Sequence, residues 1–356
     1  MIALVLFVVL IALIMIGVPV GFALGGATII IMQFFTKLDL SMVASYSVTG
    51  VDSLTMMAIP FFILSGVVMS VGGLARRLVD VAASLVGWMM GGLGAVVSLA
   101  SMFFGAISGS SLATVSCIGG IMVPEMQKKG YDLGYSAVFT ACAGTIGAVI
   151  PPSIPLVVYG VCTSTSIGDL FLGGVFPGVM IGIALIISNY IICKKKGYVG
   201  AERKSGREIL KAVWEAKWAL FAPVIILGGI YSGIFTPTEA SVVSVVYSTI
   251  VALFIYKEIT WKDLYNAIVG AAVTNGTTTF LLGLSTAFAA LLSFEQIPSM
   301  LTTAIINFTD NKFLFLMLVN VILLVIGCFI DNIPATTILA PMLLPAMNAF
   351  GVDPVT

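Results

Sequence analysis

Histidine is absent from the 356 residues, and only 9% of them are charged. Without imidazole there is no His-ligated metal or haem, no histidine proton relay, and no Ser-His or Cys-His catalytic pair. No Gly-Lys-Ser or Gly-Lys-Thr occurs, so the chain carries no phosphate-cradling P-loop for ATP hydrolysis. The five cysteines, Cys117, Cys142, Cys162, Cys193 and Cys328, never form a CxxC pair and lie in or beside apolar stretches. They read as small buried hydrophobes. No carboxylate pair at catalytic spacing argues for a hydrolase, and zero net charge gives no case for nucleic acid.

Apolar side chains are what the sequence does have. A soluble domain is roughly 25% charged, whereas here 60% of residues are hydrophobic and the mean hydropathy is +1.16. Runs long enough to cross a bilayer core of about 30 Å recur along the chain. The reading is an all-α polytopic membrane protein. The first apolar stretch lacks a basic flank and runs to residue 35, so it reads as a membrane span rather than a signal peptide.

Apolar segments fall at 1–35, 53–73, 92–127, 133–163, 168–193, 218–234, 239–257, 264–292 and 313–350. Two are interrupted midway by polar residues, one at Ser108-Gly109-Ser110-Ser111 and the other at Asp331-Asn332-Ile333-Pro334. Cytoplasmic connections retain Lys and Arg. One threading places Arg76, Arg77, Lys128, Lys129, Lys257, Lys262 and the cations from Lys194 to Lys217 on one side, leaving only Lys37 and Lys312 opposite. This bias holds only if 92–127 and 313–350 each return to the side they left. Both are therefore expected to be re-entrant helical hairpins, entering from opposite faces. The polar stretch 194–217 reads as a solvated cytoplasmic loop that also meets anionic headgroups.

Setting residues 104–123 over 326–345 aligns Gly105 with Gly327, Ala113 with Ala335 and Thr114 with Thr336. The flanks match too, with span, connector (near 74–90 and near 296–309) and hairpin in each half. Opposite sidedness makes this an inverted repeat, the plan of many secondary transporters. The same shift places mates of Pro151-Pro152-Ser153 and of span 168–193 beyond residue 356. The expectation is a C-terminus short of its own symmetry, without the second broken helix.

Pro151, Pro152 and Pro155 cannot sit in a continuous helix, because each lacks an N–H and crowds the preceding turn. Broken backbone at membrane depth is tolerated only where it faces protein, water or an ion. Carbonyls near Gly147, Ile150 and Pro152 are thus candidates to hold a desolvated hard cation, with a structural kink as the alternative. The tip Ser108-Gly109-Ser110-Ser111, with Thr114, offers hydroxyls to an anion or to Na⁺, and helix ends add N–H groups. Helix packing through small residues is the alternative there. Asp331, at the second tip beside Asn332, either neutralises a cation or caps a helix.

These stretches resemble a known family. AIPFF (58–62), FGAISGSSLATVSCIGGIMVPEM (104–126), AGTIGAVIPPSIPLVVYG (143–160), SIGDLFLGGVFPG (166–178) and CFIDNIPATTILAPMLLP (328–345) are similar to the large membrane subunit of tripartite ATP-independent periplasmic (TRAP) transporters. The resemblance covers nearly the whole chain. It implies a Na⁺-driven elevator importing small organic acids across a bacterial or archaeal cytoplasmic membrane. A small four-span membrane subunit and a periplasmic substrate-binding protein would be the partners. It further implies one Na⁺ held by Ser108, Ser110, Ser111, Gly147, Ile150 and Pro152, and another involving Gly327. Ser108, Ser153, Asp331 and Asn332 would face the substrate or its coupling ion. No cofactor other than Na⁺ is implied. Residues 92–163 and 313–356 would form the transport halves, with scaffold spans and an arm helix in 1–91 and scaffold spans with the loop 194–217 in 164–312. A stand-alone divalent-anion/Na⁺ symporter and a non-transporting scaffold subunit are the alternative readings.

Overall fold

The computed structural model describes residues 2–355. Every regular element among them is helical. In chain order these are α1 (Ile2–Met15), α2 (Val20–Phe35), α3 (Ser41–Thr49), α4 (Ala58–Val71), α5 (Leu74–Val86), α6 (Gly92–Ser108) and α7 (Ser111–Lys128). They continue with α8 (Leu133–Gly144), a 3₁₀ turn (Thr145–Ala148), α9 (Ile154–Thr163), α10 (Ile167–Lys196), α11 (Gly206–Glu215), α12 (Lys217–Tyr231) and α13 (Pro237–Ile250). A π-helical turn (Val251–Ile255), α14 (Trp261–Phe294), α15 (Ile297–Phe308), α16 (Lys312–Gly327) and α17 (Asn332–Ala349) complete the chain.

Helix ends fall where local chemistry stops them. Pro19 precedes α2 and Pro237 opens α13, positions where the missing N–H costs nothing. Ser205 with Glu208 and Thr236 with Glu239 form capping boxes at the starts of α11 and α13. α10, α14 and the continuous run Pro237–Ile255 are each long and apolar enough to cross a membrane. At 30 residues α10 is about 45 Å long, more than a bilayer core requires. Two helix pairs are bent, α4 with α5 by 68° and α11 with α12 by 61°.

Stretches between the apolar segments prove to be helices too. The connectors near 74–90 and 296–309 contain α5 and α15, and the expected solvated loop 194–217 holds the last turn of α10 and all of α11. The cysteine expectation needs correcting: Cys193 is buried, but Cys142 and Cys328 are exposed and Cys117 and Cys162 half-buried. An apolar run in a membrane protein can face lipid as readily as protein, so hydropathy alone does not place a thiol in the core.

The chain divides by contacts into two compact units. One comprises Met57–Val157 and Ile167–Thr274. Its core includes Val68, Leu78, Val97, Phe104, Ile118, Met122 and Ala219. α4 lies against α13, where the Ser65 and Ser244 hydroxyls meet at 2.5 Å. The foot of α6 is pinned by Asn189 of α10, whose Nδ2 donates to the Gly91 carbonyl at 2.9 Å. The Asn189 Oδ1 accepts the Tyr135 hydroxyl of α8 at 2.8 Å. At the α4–α5 bend, Arg77 pairs with Glu258 at 2.5 Å and stacks 3.7 Å over the Tyr256 ring.

The other unit comprises Met1–Met56, Val158–Ser166 and Asn275–Thr356. Phe288, Leu24, Ile31 and Leu291 centre its core, and the Phe22 and Phe280 rings lie 5.1 Å apart. α17 packs mainly on α15, whereas α16 buries only Phe315 and leaves Phe313, Val321 and Leu324 exposed. The expected second hairpin therefore has splayed arms in this structure. Because α16 is apolar on nearly every face, its sequence selects no single side for packing.

Candidate functional site

The first interrupted segment folds as two helices meeting at a two-residue tip. α6 ends on Gly109, which adopts φ +62° and donates its N–H to the Gly105 carbonyl at 3.0 Å. That left-handed cap is where glycine is cheapest. Ser110 is extended and caps α7, its hydroxyl accepting from Ala113 N–H at 3.3 Å. Thr114, fully buried, donates to the Ser110 carbonyl at 2.8 Å, and its hydroxyl lies 3.2 Å from that of Ser108. Ser108 is itself only 1% exposed.

The proline segment meets this tip. After the 3₁₀ turn the chain passes through a cis Pro151–Pro152 bond and resumes as α9. Ile154 N–H donates to the Gly109 carbonyl at 3.0 Å, a bond spanning 45 positions of sequence. A Cβ on Gly109 would lie 2.6 Å from the Pro152 carbonyl oxygen, and one on Gly105 would lie 2.8 Å from Gly147 Cα. A Cβ on Gly147 would strike the Thr114 hydroxyl and come within 2.9 Å of the Ser110 carbonyl. Three glycines thus let two stretches of backbone touch.

The prolines leave specific acceptors without their helical donors. Pro151, Pro152 and Pro155 have no N–H to offer the carbonyls of Gly147, Ala148 and Pro151 four residues back. The Ser153 hydroxyl supplies the Ala148 carbonyl instead, at 2.5 Å. It also accepts from Leu156 N–H at 3.4 Å, capping α9. Gly147 and Pro151 carbonyls receive no such substitute from Ser153. Ser153 and Ile150 are buried; Ile150 faces Gly178 of α10.

Ser108, Ser110, Gly147, Pro152 and Ser153 are therefore gathered at one place, with Ser111 half-buried at the start of α7. The set consists of hydroxyl and carbonyl oxygens with no charged side chain. Neutral hard oxygens fit a small monovalent cation, whereas divalent ions favour carboxylates. Gly66, whose Cβ would lie 3.1 Å from that of Ser108, and Gly174, whose Cβ would lie 2.9 Å from the Val149 carbonyl, also line the region. Sequence reasoning had missed these two and Gly178. The four-residue spacing of Gly174 and Gly178 is a small-xxx-small signal that could have found them.

The second set lies in the other unit. Gly327 ends α16 at an exposed position with open space around it. Asp331 is exposed and caps α17, accepting from Asn332 N–H at 2.8 Å, and Asn332 is half-buried. The capping role allowed for Asp331 is thus present.

Comparison with known proteins decides the family. Residues 7–356 match the model of the "Tripartite ATP-independent periplasmic transporter, DctM component". The chain belongs to the DctM family. It is a multi-pass membrane permease component of a TRAP transporter rather than an enzyme. It is 42% identical over 341 residues to the isethionate TRAP transporter permease protein DctMQ of Oleidesulfovibrio alaskensis, covering 96% of this chain and 54% of that protein. It is 37% identical to the sialic acid large permease SiaM of Vibrio cholerae, covering 95% and 79%. To the C4-dicarboxylate large permease DctM of Pseudomonas aeruginosa it is 42% identical, covering 85% and 70%. The chain thus spans about half of the first relative and most of the other two.

Proposed function

We propose that this DctM-family chain is the large membrane subunit of a Na⁺-coupled importer of small organic acids. The observation that carries the reading is the contact between the polar tip at Gly109 and the proline break at Ile154, which concentrates neutral oxygens in a buried setting. Backbone left without helical donors at membrane depth is costly unless it faces protein, water or an ion, and the oxygens gathered here suit an ion. The relatives named for isethionate, sialic acid and C4-dicarboxylate all take organic anions, which supports that substrate class.

In this reading Ser108, Ser110, Ser111, Gly147, Ile150 and Pro152 hold one Na⁺, and Gly327 contributes to a second. Ser108, Ser153, Asn332 and Asp331 face the substrate or the coupling ion. Asp331 cannot itself attract an anion, so its part is to cap α17 or to meet a cation. Residues 92–163 and 313–356 form a transport domain with inverted re-entrant hairpins, moving as an elevator against a scaffold of 1–91 and 164–312. A small four-span subunit braces the scaffold in the cytoplasmic membrane, and a periplasmic binding protein delivers the acid.

The test is uptake by the full-length protein reconstituted with its small subunit and binding protein. Uptake should require both a Na⁺ gradient and the binding protein, and Ser110→Ala or Asp331→Ala should lower it at least tenfold without changing elution behaviour. Uptake without the binding protein would favour a stand-alone symporter. Full uptake by both variants refutes the site assignment.

A further inference from the structure

The stretch between α10 and α12 has no role in transport as proposed above. With the last turn of α10 and the first residue of α12 it makes up 194–217, which holds eight of the chain's 16 cations against three acids, Glu202, Glu208 and Glu215. Two of those acids are occupied locally. Glu208 accepts from the Ser205 backbone N–H at 2.7 Å to close the capping box, and Glu215 lies 3.9 Å from Lys211.

α11 packs on α5, and its half-buried residues Ile209, Ala212 and Val213 share one face. A second apolar stripe beside that face is uncovered. Leu210 and Trp214, one turn apart, are each 68% exposed. At 100° per residue, Arg207 and Lys211 flank this stripe on its polar side. Lys217 closes its end, with Nζ 3.7 Å from the Trp214 ring centroid and 5.6 Å from that of Trp218.

The bend at Ala216 gives the stripe its orientation. α12 is apolar, and α11 turns from it by 61°. If α12 runs across the bilayer, α11 runs toward the membrane plane, with Trp214 and Trp218 at the level where indole rings prefer to sit. An exposed apolar stripe edged by cations matches the surface of an anionic bilayer in both hydrophobicity and charge. We propose that α11 is an interfacial anchor that binds anionic phospholipid, with Leu210 and Trp214 inserted and Arg207, Lys211 and Lys217 at the headgroup phosphates. Because α11 packs on α5, and α5 leads into the hairpin α6–α7, this anchor holds the support of the candidate site against the membrane surface.

Fluorescence quenching by brominated lipids tests this without measuring transport. The full chain carrying Trp88→Phe, Trp218→Phe and Trp261→Phe retains Trp214 as its only indole. It is reconstituted in zwitterionic nanodiscs containing an equal fraction of brominated phosphatidylglycerol or brominated phosphatidylcholine. Brominated phosphatidylglycerol should quench Trp214 at least twofold more. The preference should vanish in Arg207→Gln/Lys211→Gln/Lys217→Gln, and should fall as NaCl is raised from 0.1 M toward 1 M, where screening shortens to about 3 Å. Equal quenching by the two lipids overturns the anionic preference. No quenching by either, in protein that elutes as a single species, overturns the lipid as occupant and leaves water or a protein partner on the stripe.

Discussion

Gly105→Ala probes the contact between tip and break most directly. The added methyl carbon would lie 2.8 Å from Gly147 Cα and 3.2 Å from Gly147 N, atoms of backbone that no rotamer change can move aside. Overpacking of this kind costs about 1–3 kcal/mol. A helix-interior Gly→Ala change by itself would stabilise by about 0.5–1 kcal/mol, so a net loss isolates the steric part. The ion-free protein can relieve the strain by letting Gly109 and Ile154 drift apart, whereas a cation shared between tip and break holds them together. The strain then opposes cation binding, raising the Na⁺ dissociation constant by about fivefold to 150-fold. Na⁺-dependent thermal stabilisation in detergent measures this as a shift in the Na⁺ concentration giving half the effect. Gly120→Ala is the control: Gly120 lies on α7 with open space around it and should match or exceed the parent in stability. A Gly105→Ala protein with an unchanged Na⁺ midpoint and unchanged melting temperature refutes the reasoning.

Ser153→Ala removes the donor to the Ala148 carbonyl and the cap of α9, and should lower stability by about 1–2 kcal/mol, read as a lower melting temperature. Asn189→Ala leaves the Gly91 carbonyl and the Tyr135 hydroxyl without their shared partner. The Gly91 carbonyl keeps the Gly94 N–H at 2.9 Å and the Tyr135 hydroxyl keeps Cys193 Sγ at 3.5 Å, so what is lost is two hydrogen bonds at about 1 kcal/mol each, and melting should fall about as much as for Ser153→Ala. Glu208 is held below the usual carboxylate range, first by the Ser205 backbone N–H and then by its hydroxyl. A depressed folded-state pKa makes its capping contribution complete above the ordinary Glu value and lost as pH falls through the depressed one. The start of α11 should therefore fray on acidification, seen as a change in Trp214 emission of the single-tryptophan protein, and Glu208→Ala should abolish that pH dependence.

Much of this protein is written in local chemistry. Apolar runs, capping residues and prolines act within a few positions, so the helical class, the break at Pro151-Pro152 and the interruptions at Ser108–Ser111 and Asp331–Pro334 were all legible along the chain. Short helices between the spans were harder to see from hydropathy. α5, α11 and α15 are short or amphipathic and rely on packing, which hydropathy does not report. Burial was misjudged for Cys142 and Cys328 because lipid and protein are equally apolar surroundings.

The sequence by itself determined which residues could furnish a cation site, since hydroxyls, glycines, prolines and the pair Asp331-Asn332 are what interrupt the broken apolar segments. Tertiary structure alone decided which of them meet. Gly109 reaches Ile154, and Gly105 touches Gly147, across more than forty positions. Such contacts depend on how α6 and α7 pack against α8 and its broken continuation, and no local propensity specifies that. Asp331 makes the same point from the other side. A carboxylate at the expected second tip read either as a cation's partner or as a helix cap, and the fold places it exposed, capping α17.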